Sequence, residues 1–403
     1  MKILDIVKII PKKNPRTGSD IVLTVNKEKI KIVWINRGKN GKILNLQNQP
    51  KPITIPRFLV LSEEFGEVLG MYYGDGTKND TSCVEFANSA PELLLMWIKF
   101  LENYKIPKKE MKFIVKVAEN AKLKYNISED EIRDYWRNIL CIPKKKEIKV
   151  VWVKTPGKPS EYIQRYGTVA IRYSNATFSF FFNLLIQNLN NFIIKSREFL
   201  IGFLRGEVAA EGNVNLRANG SLSLIRIAGN KKERNFISSL FIRYLKIRTK
   251  DDDSSNQIYI SSLKNLRKVK KLKLVELNLR KKQQFEMGYE RLIQNIKNKK
   301  HDSNCVLKNR KSLQLLYLLS KNSLTKKQLV KYLKISDKYV RNLLNGYTRK
   351  GYKYNGLKKL GLIKSVKING REKLWKITPK GQEFLMQSIL EFGQPYVNLE
   401  LRN

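Results

Sequence analysis

The stretch FGEVLGMYYGDG, residues 65–76, decides the fold of this chain. It has helix-forming character, yet a glycine recurs at every fourth position, as Gly66, Gly70 and Gly74. A glycine inside a helix costs about 1 kcal/mol relative to alanine, so three of them need a compensating interaction. Residues at this spacing lie along one ridge of a helix, and a ridge without side chains lets a second helix approach backbone to backbone. The pattern therefore predicts a helix that has a helical partner.

A second stretch, GFLRGEVAAEG at residues 202–212, has the same spacing of small residues and is the predicted partner. In both stretches an acid follows the last small residue and a glycine follows the acid, which gives Asp75 and Glu211 equivalent positions. A glycine there is typical of a helix C-terminus. If the two ridges cross, the two carboxylates should lie side by side. The alternative is that both are solvated helix-end acids, although the helix dipole disfavours an acid at that end.

The charge balance points to a polyanionic partner. The chain has 403 residues, with 79 Lys and Arg against 35 Asp and Glu, a formal net charge of +44. Such an excess destabilises a compact protein by self-repulsion, and nucleic acid is the leading explanation for it. A cationic membrane-surface protein is a weaker alternative, because no apolar run reaches the length of a spanning helix.

The residue types that are scarce narrow the chemistry. The three cysteines, Cys83, Cys141 and Cys305, are far apart and odd in number, which argues against a disulfide framework or a zinc ribbon. The only histidine is His301, in a polar connecting stretch, so histidine-dependent nuclease and protease sites are excluded. No phosphate-binding GxxxxGK[ST] loop is present. Any catalysis must use carboxylates, lysines, water and a metal.

The order of predicted elements gives four blocks and an α+β class. Residues 1–60 read as a small β module of short β-branched runs separated by turns. Residues 61–196 and 197–300 each open with a glycine-ridge helix and continue with strands and covering helices, which indicates an internal duplication. Residues 304–390 form a separate C-terminal block.

The two glycine-rich stretches carry a family resemblance. VLGMYYGDG (68–76) and LRGEVAAEG (204–212) resemble the two copies of the nine-residue signature of LAGLIDADG homing endonucleases. The resemblance extends over roughly residues 55–295 and implies two pseudo-symmetric αββαββα halves, whose motif helices form the interface and whose sheets saddle the DNA major groove. It also implies that Asp75 and Glu211 bind divalent metal, Mg²⁺ or Mn²⁺. The sixth motif position, often acidic in the family, is Tyr73 and Ala209 here, so the inference rests on the two acids alone.

This donor set suits phosphodiester hydrolysis. The reaction needs a water made nucleophilic and a leaving oxygen stabilised, and metal ions held by hard carboxylates do both without histidine. Two acids brought together without metal raise the pKa of one of them, a cost that a cation removes. The resemblance therefore implies a site-specific endonuclease that makes a double-strand break in DNA.

Basic side chains near the metal would steady charge on the scissile phosphate. The family usually places one late in each half. In LNLRKKQQF (277–285) the resemblance points to Arg280 or Lys282, and in the first half to Lys195. The alternative is that all three are ordinary members of an abundant lysine and arginine population.

DNA readers are expected on strands that turn one face to the core and the other to a groove. The candidates in the predicted strands and at their ends are Asn88, Arg172, Asn175, Ser223, Arg226 and Asn230. Any one of them alone is more often a solvated sheet residue than a base contact.

The C-terminal block resembles a winged helix-turn-helix domain. In LTKKQLVKYLKISDKYVRNLL (324–344) Thr325 caps a short helix and Ser336 opens a second one, and Asn369-Gly370 is the predicted hairpin of the wing. Major-groove insertion of the second helix is the expected docking mode, through Lys338, Tyr339, Arg341 and Asn342. Many winged helices bind proteins instead.

The sequence thus predicts a monomeric, metal-dependent DNA endonuclease, expected in the cytoplasm in association with the nucleoid. Two alternatives stay open. One is a transcription regulator that keeps the LAGLIDADG fold and binds DNA without cleaving it. The other is an RNA-splicing maturase, which the basic charge suits equally well.

Overall fold

The structure is a computed structural model that describes residues 2–15, 17–37, 42–45, 49–78, 82–154, 164–301, 310–349, 352–368 and 372–392. The chain divides into two compact units, Met1–Arg291 and Leu292–Asn403. Both units combine helices with β-sheets, so the prediction of a mixed α+β fold is confirmed. Cys305 lies outside the described residues. The described part of the chain has no helix with the length and apolar character that a membrane crossing requires.

The first unit opens with short strands, as predicted for residues 1–60. They form a two-stranded sheet, order β1-β5, and a three-stranded antiparallel sheet, order β2-β3-β4. The bounds are β1 (Ile3–Asp5), β2 (Asp20–Val25), β3 (Lys29–Ile35), β4 (Ile53–Pro56) and β5 (Phe58–Val60).

The two glycine-ridge stretches are helices, α1 (Glu63–Asp75) and, further along the chain, α7 (Arg197–Glu211). Each begins at a serine whose hydroxyl oxygen accepts from a backbone N–H of the first turn, Ser62 at 3.1 Å and Ser196 at 3.2 Å. Each ends directly before the predicted glycine. The sequence therefore located the C-terminal ends of both helices.

A sheet and its covering helices lie between α1 and α7 in the chain. The strand order is β6-β9-β7-β8; β7 and β8 are parallel and the other pairs antiparallel. The helices pack on one face, where Phe86 and Trp97 have ring centroids 5.8 Å apart. The bounds are β6 (Val84–Asn88), α2 (Pro91–Asn103), β7 (Lys112–Ala118), α3 (Glu119–Tyr125), α4 (Glu129–Ile139), β8 (Ile148–Val153), β9 (Thr168–Tyr173), α5 (Ala176–Gln187) and α6 (Leu189–Lys195). Helix α3 was not predicted.

A second four-stranded sheet follows α7, with order β10-β11-β13-β12 and every neighbouring pair antiparallel. Strand β12 was not predicted. The bounds are β10 (Gly212–Leu216), β11 (Leu222–Ala228), α8 (Lys231–Arg243), β12 (Lys250–Asp252), β13 (Gln257–Ile260), α9 (Leu263–Lys271) and α10 (Leu279–His301).

The second unit has its own core, centred on leucines of its helices and on Trp375. Its sheet order is β14-β18-β17, and a separate hairpin pairs β15 with β16. The hairpin was not predicted, and Asn369-Gly370, the predicted turn between β17 and β18, lies outside the described residues. The bounds are α11 (Arg310–Lys321), β14 (Leu324–Thr325), α12 (Lys326–Leu333), α13 (Asp337–Asn345), β15 (Gly346–Arg349), β16 (Tyr352–Asn355), β17 (Ile363–Ile368), β18 (Glu372–Ile377) and α14 (Pro379–Phe392).

Candidate active site

The glycine ridges of α1 and α7 lie against each other, as the sequence predicts. A Cβ atom added to Gly70 would lie closer than 3.0 Å to the carbonyl oxygen of Phe203. A Cβ atom added to Gly206 would lie closer than 3.0 Å to the carbonyl oxygen of Glu67. Early residues of one helix lie beside early residues of the other, so the helices run in the same direction. Their C-terminal ends therefore coincide.

Asp75 and Glu211 are the last residues of the two helices and lie at this shared end. The position of a Cβ atom on Gly74 would be 2.7 Å from Cβ of Ala210 and 3.1 Å from Cγ of Glu211, so the helix ends are in contact. Burial raises the pKa of both carboxyls, and the charge of Asp75 raises the pKa of Glu211 further. The two acids interact electrostatically, as the crossing requires.

Asn88 holds the carboxylate of Asp75. Its side-chain Nδ2 donates to Oδ2 of Asp75 at 2.6 Å, and its Oδ1 accepts from the backbone N–H of Ala90 at 2.7 Å. This bond partly opposes the rise in the pKa of Asp75 that burial causes. Asn88 was predicted as a DNA contact, but both ends of its amide are used within the protein. It orients the acid.

Lys281 supplies the positive charge beside the acids. Its ammonium donates to the last carbonyl oxygens of α7, at 2.6 Å to Ala209 and 2.9 Å to Ala210. Its side chain is buried, and burial lowers the pKa of Lys281 to about 8, while the charges of Asp75 and Glu211 act in the opposite direction. A lysine at a helix C-terminus also interacts favourably with the helix dipole.

The predicted basic residues flank this position or lie far from it. Arg280 is exposed and Lys282 is half-buried, and a helix turns by about 100° per residue, so neither shares the direction of Lys281. Lys195 is exposed and ends α6, just before α7 begins. Since α7 has 15 residues and rises about 1.5 Å per residue, Lys195 lies at the opposite end of the helix from Glu211. The structure does not bring Lys195 to the acids.

The sequence carried a signal for Lys281 that was missed. Along α10 the positions Lys281, Phe285, Gly288 and Leu292 are all buried and follow helical spacing. A lysine on the buried stripe of a helix needs a partner for its charge, whereas Arg280 and Lys282 do not lie on that stripe.

A third acid, Glu207, is buried between α1 and α7. Its side chain is 2% exposed, and Oε2 has no hydrogen-bond partner among the described residues. Burial, reinforced by the charge of Glu211, raises the pKa of Glu207 well above its ordinary value. The matching position of the first motif is Met71, which is fully buried.

We expect Glu207→Met to raise the free energy of unfolding by about 1–3 kcal/mol at neutral pH, because the change removes an unpaired buried carboxyl. The pKa of Glu207 is higher in the folded protein than the unfolded value of 4.5. Protonation of Glu207 therefore favours the folded state at pH values below 4.5, and this contribution to stability is lost as the pH rises through the folded pKa. The gain should therefore grow with pH. Urea unfolding at several pH values measures it.

The matched control is Glu67→Met in the facing helix. Glu67 is also buried, but it forms an ion pair with Arg205 at 2.5 Å, so its removal should lower stability. If Glu207→Met lowers the free energy of unfolding as much as Glu67→Met does, the assignment of Glu207 as unpaired is wrong.

Two further asparagines that were predicted to contact DNA act as helix caps. Asn175 is buried, and its Oδ1 accepts from the backbone N–H of Phe178 at 3.0 Å at the start of α5. Asn230 caps α8 by accepting from the backbone N–H groups of Lys232 and Glu233, both near 3 Å. Asparagine is a preferred N-cap residue, so a position between a strand and a helix has this simpler explanation. Asn175 is therefore not on the exposed surface of the sheet.

The outward faces of the two sheets carry the other candidates. Arg172 lies on β9 and donates to Oε2 of Glu85 at 2.5 Å; Arg226 is exposed on β11. Ser223 is half-buried, next to a register shift in β11. The sequence analysis missed three exposed lysines that share the outward face of the first sheet with Arg172: Lys112, Lys116 and Lys149.

The candidates of the second unit lie on α13. Lys338 and Arg341 are exposed, and Arg341 pairs with Asp337 at 3.1 Å. Tyr339 and Asn342 are half-buried, and Tyr339 packs against the core of the unit. The exposed side of α13 is therefore basic at two of the four predicted positions.

The residues present can hold a divalent cation only in part. Across the described ranges, no group of three or more His, Cys, Asp or Glu side chains has the arrangement of a metal cluster. Asp75 and Glu211 supply two hard oxygen donors, and Mg²⁺ is often bound by one or two carboxylates plus substrate phosphates and water. Burial raises the pKa of both acids, and the charge of Asp75 raises the pKa of Glu211 further; a bound cation would offset both effects. The donor set fits Mg²⁺ or Mn²⁺ if phosphate oxygens and water complete the coordination.

Neither a protein-family model nor a curated protein matches this sequence. Among solved structures, the N-terminal LAGLIDADG domain of DUF199/WhiA is similar at a TM-score of 0.30 and 14% identity, covering 54% of this chain and 84% of that one. Full-length DUF199/WhiA from Thermatoga maritima is similar at 0.29 and 11%, covering 70% and 89%. Mesophilic variants of the homing endonuclease I-DmoI are similar at 0.26 and 16%, covering 52% and 87%. These scores are too low to assign a family, so the functional interpretation rests on the site.

Proposed function

We propose that this protein is a metal-dependent, site-specific endonuclease of double-stranded DNA. The observation that carries the proposal is the convergence of Asp75 and Glu211 at one end of a backbone-to-backbone helix pair. The two carboxylates can bind the metal that hydrolysis of a phosphodiester needs, and the buried lysine adds positive charge beside them. The strongly basic chain suits binding to the phosphates of DNA.

The proposed architecture is two LAGLIDADG halves, residues 61–196 and 197–300, related by pseudo-symmetry and acting as a monomer. Three features support it. The ridge glycines occur at the same spacing in α1 and α7, and each of these helices is followed by a sheet with a helix layer. The strand orders also agree: β9 lies between β6 and β7 in the first sheet, and β13 lies between β11 and β12 in the second.

Each side chain of the site has a role in this proposal. Mg²⁺ or Mn²⁺, when bound, supplies activation of a water and stabilisation of the leaving oxygen. Asp75 and Glu211 would hold the cation, and Asn88 fixes the orientation of Asp75. Lys281, held by the carbonyl oxygens of α7, provides positive charge where negative charge develops on the phosphate.

The second unit is proposed to be a winged helix-turn-helix domain at residues 304–390, with α13 as the helix that enters the major groove. Its capped helices α12 and α13, joined by a short turn, support this, as does the antiparallel β17–β18 pair that follows. Lys338 and Arg341 are the side chains of α13 best placed to meet DNA.

Binding of DNA without cleavage is the second candidate. One observation favours it: within the described residues the acids form no cluster of three or more ligands, so these residues alone do not enclose a metal. A regulator with the same basic surfaces would need no complete metal site.

The test is incubation of the protein with a diverse library of duplex DNA in Mg²⁺, followed by sequencing of the ends that appear. The parent should cut at defined sites, and Asp75→Asn together with Glu211→Gln should reduce cutting at least about 100-fold while duplex binding persists. The matched control is Glu102→Gln, the same charge change at an exposed acid of α2, which should cut like the parent.

Three other results would change the proposal. Tight duplex binding with no cutting by any version would leave the regulator. Equal cutting by the parent and the double variant would remove the two acids from the mechanism. Preference for structured RNA over duplex DNA would favour a maturase.

A further inference from the structure

Both sheets have four strands, but the strands do not match one to one. Gly76, directly after α1, forms an antiparallel bridge to Phe86 of β6, as Gly212, directly after α7, pairs with Ile227 of β11. Strand β6 therefore corresponds to β11, β9 to β13 and β7 to β12, and β8 has no counterpart in the second sheet. In the first sheet the antiparallel neighbours β7 and β9 are separated in sequence by α3, α4 and β8, whereas β12 and β13 follow each other directly. This excursion, residues 119–167, adds β8 at the outer edge, parallel to β7. Because strands are spaced about 4.8 Å apart, β8 widens the sheet by roughly that distance.

The added strand is fastened to the rest of the excursion. Trp152 Nε1 donates to Oε1 of Glu129 at 3.0 Å, and Arg133 Nε donates to the carbonyl oxygen of Ile148 at 3.3 Å, so α4 is tied to both ends of β8. The residues directly before β9 are fixed as well, since Trp136 Nε1 donates to the carbonyl oxygen of Tyr166 at 2.8 Å. These bonds hold β8 in a defined place at the sheet edge.

The outward face of the widened sheet is basic. Inward residues of β7 and β8, such as Phe113 and Ile148, are buried, whereas Lys112, Lys116 and Lys149 point outward and are exposed. Among the outward positions of β6, β7, β8 and β9, Glu85 is the only acid, and Arg172 already pairs with it. Lys149 therefore extends an uncompensated row of positive charge beyond β7.

We propose that β8 is an additional DNA-binding strand, through which Lys149 contacts a backbone phosphate beyond the reach of the other three strands. The inference rests on the proposed DNA binding but not on cleavage. The charge of the face matches the phosphates of duplex DNA, which carries one negative charge per about 1.7 Å of helix axis. Since the second sheet has no such strand, the protein contacts a longer stretch of the duplex on the side of the first sheet.

The experiment measures duplex affinity against KCl concentration in EDTA, so that no cleavage occurs, for the parent and for Lys149→Gln. Loss of one phosphate contact should reduce the slope of log affinity against log salt by about 0.9. Lys149→Arg, which keeps the charge, should restore the slope. The matched control is Lys99→Gln, an exposed lysine of α2 on the helix-covered side of the same sheet, which should leave the slope unchanged.

Stepwise shortening of the duplex from each end gives a second readout. To reach full affinity, the parent should need a longer duplex on one side than Lys149→Gln does. Equal slopes and equal length requirements for Lys149→Gln and Lys99→Gln would overturn the inference even if cleavage is found. A slope difference without any cleavage in Mg²⁺ would support the inference and reject the nuclease, and absence of duplex binding by the parent would overturn both.

Discussion

Replacement of Gly70 or Gly206 by alanine should destabilise the first unit by about 3 kcal/mol or more. The expected sign is the opposite of the usual one, because alanine in place of glycine ordinarily stabilises a helix by about 1 kcal/mol. Here the added methyl group would lie closer than 3.0 Å to a backbone carbonyl oxygen of the facing helix, that of Phe203 or Glu67. Backbone cannot rotate away as a side chain can, so the helices must separate. Urea unfolding measures the loss.

The control is Leu95→Ala at an exposed position of α2, which should change the free energy of unfolding by less than about 1 kcal/mol. Any cleavage should be lost in the glycine variants, because separation of the helices also separates Asp75 from Glu211. A stability gain in Gly70→Ala or Gly206→Ala would show that the helices do not approach backbone to backbone.

Lys281→Met should reduce DNA cleavage by roughly 100- to 1,000-fold and leave duplex affinity within about tenfold of the parent. The ammonium of Lys281 is fixed by carbonyl oxygens of α7 and lies within the electrostatic reach of Asp75 and Glu211. A group that stabilises developing charge affects the rate more than the binding. Single-turnover cleavage and affinity measured on the same duplex separate the two effects.

Arg280→Met and Lys282→Met are the matched controls, since they remove the same charge from the adjacent residues of α10. Both should cut close to the parental rate. If either neighbour reduces cleavage as much as Lys281→Met does, the role belongs to the charge of the segment and not to the buried lysine. Measurement of stability for all three variants separates a catalytic loss from loss of the helix-end interaction of Lys281.

The sequence by itself determined the helix pair. Glycines at every fourth position have one strong physical explanation, close helix contact, and the periodicity places Asp75 and Glu211 at equivalent ends of the two helices. Such ridges can pack in parallel or antiparallel directions, and the tertiary structure decided that the C-terminal ends meet. The terminal glycines are likewise signals directly beside the helix ends, so the C-terminal bounds of both helices were predicted from the sequence; the capping serines were identified in the structure.

Only the tertiary structure decided which polar side chains serve the site. Asn88, Asn175 and Asn230 look alike in sequence, yet the first orients Asp75 and the other two cap helices. Helical spacing with Phe285 distinguished Lys281 from its basic neighbours, but the partner of Lys281, the carbonyl oxygens of a helix about 70 residues earlier in the chain, was decided only by the tertiary structure. Periodicity is local and survives in the sequence, whereas partners distant along the chain are set by the packing of whole elements.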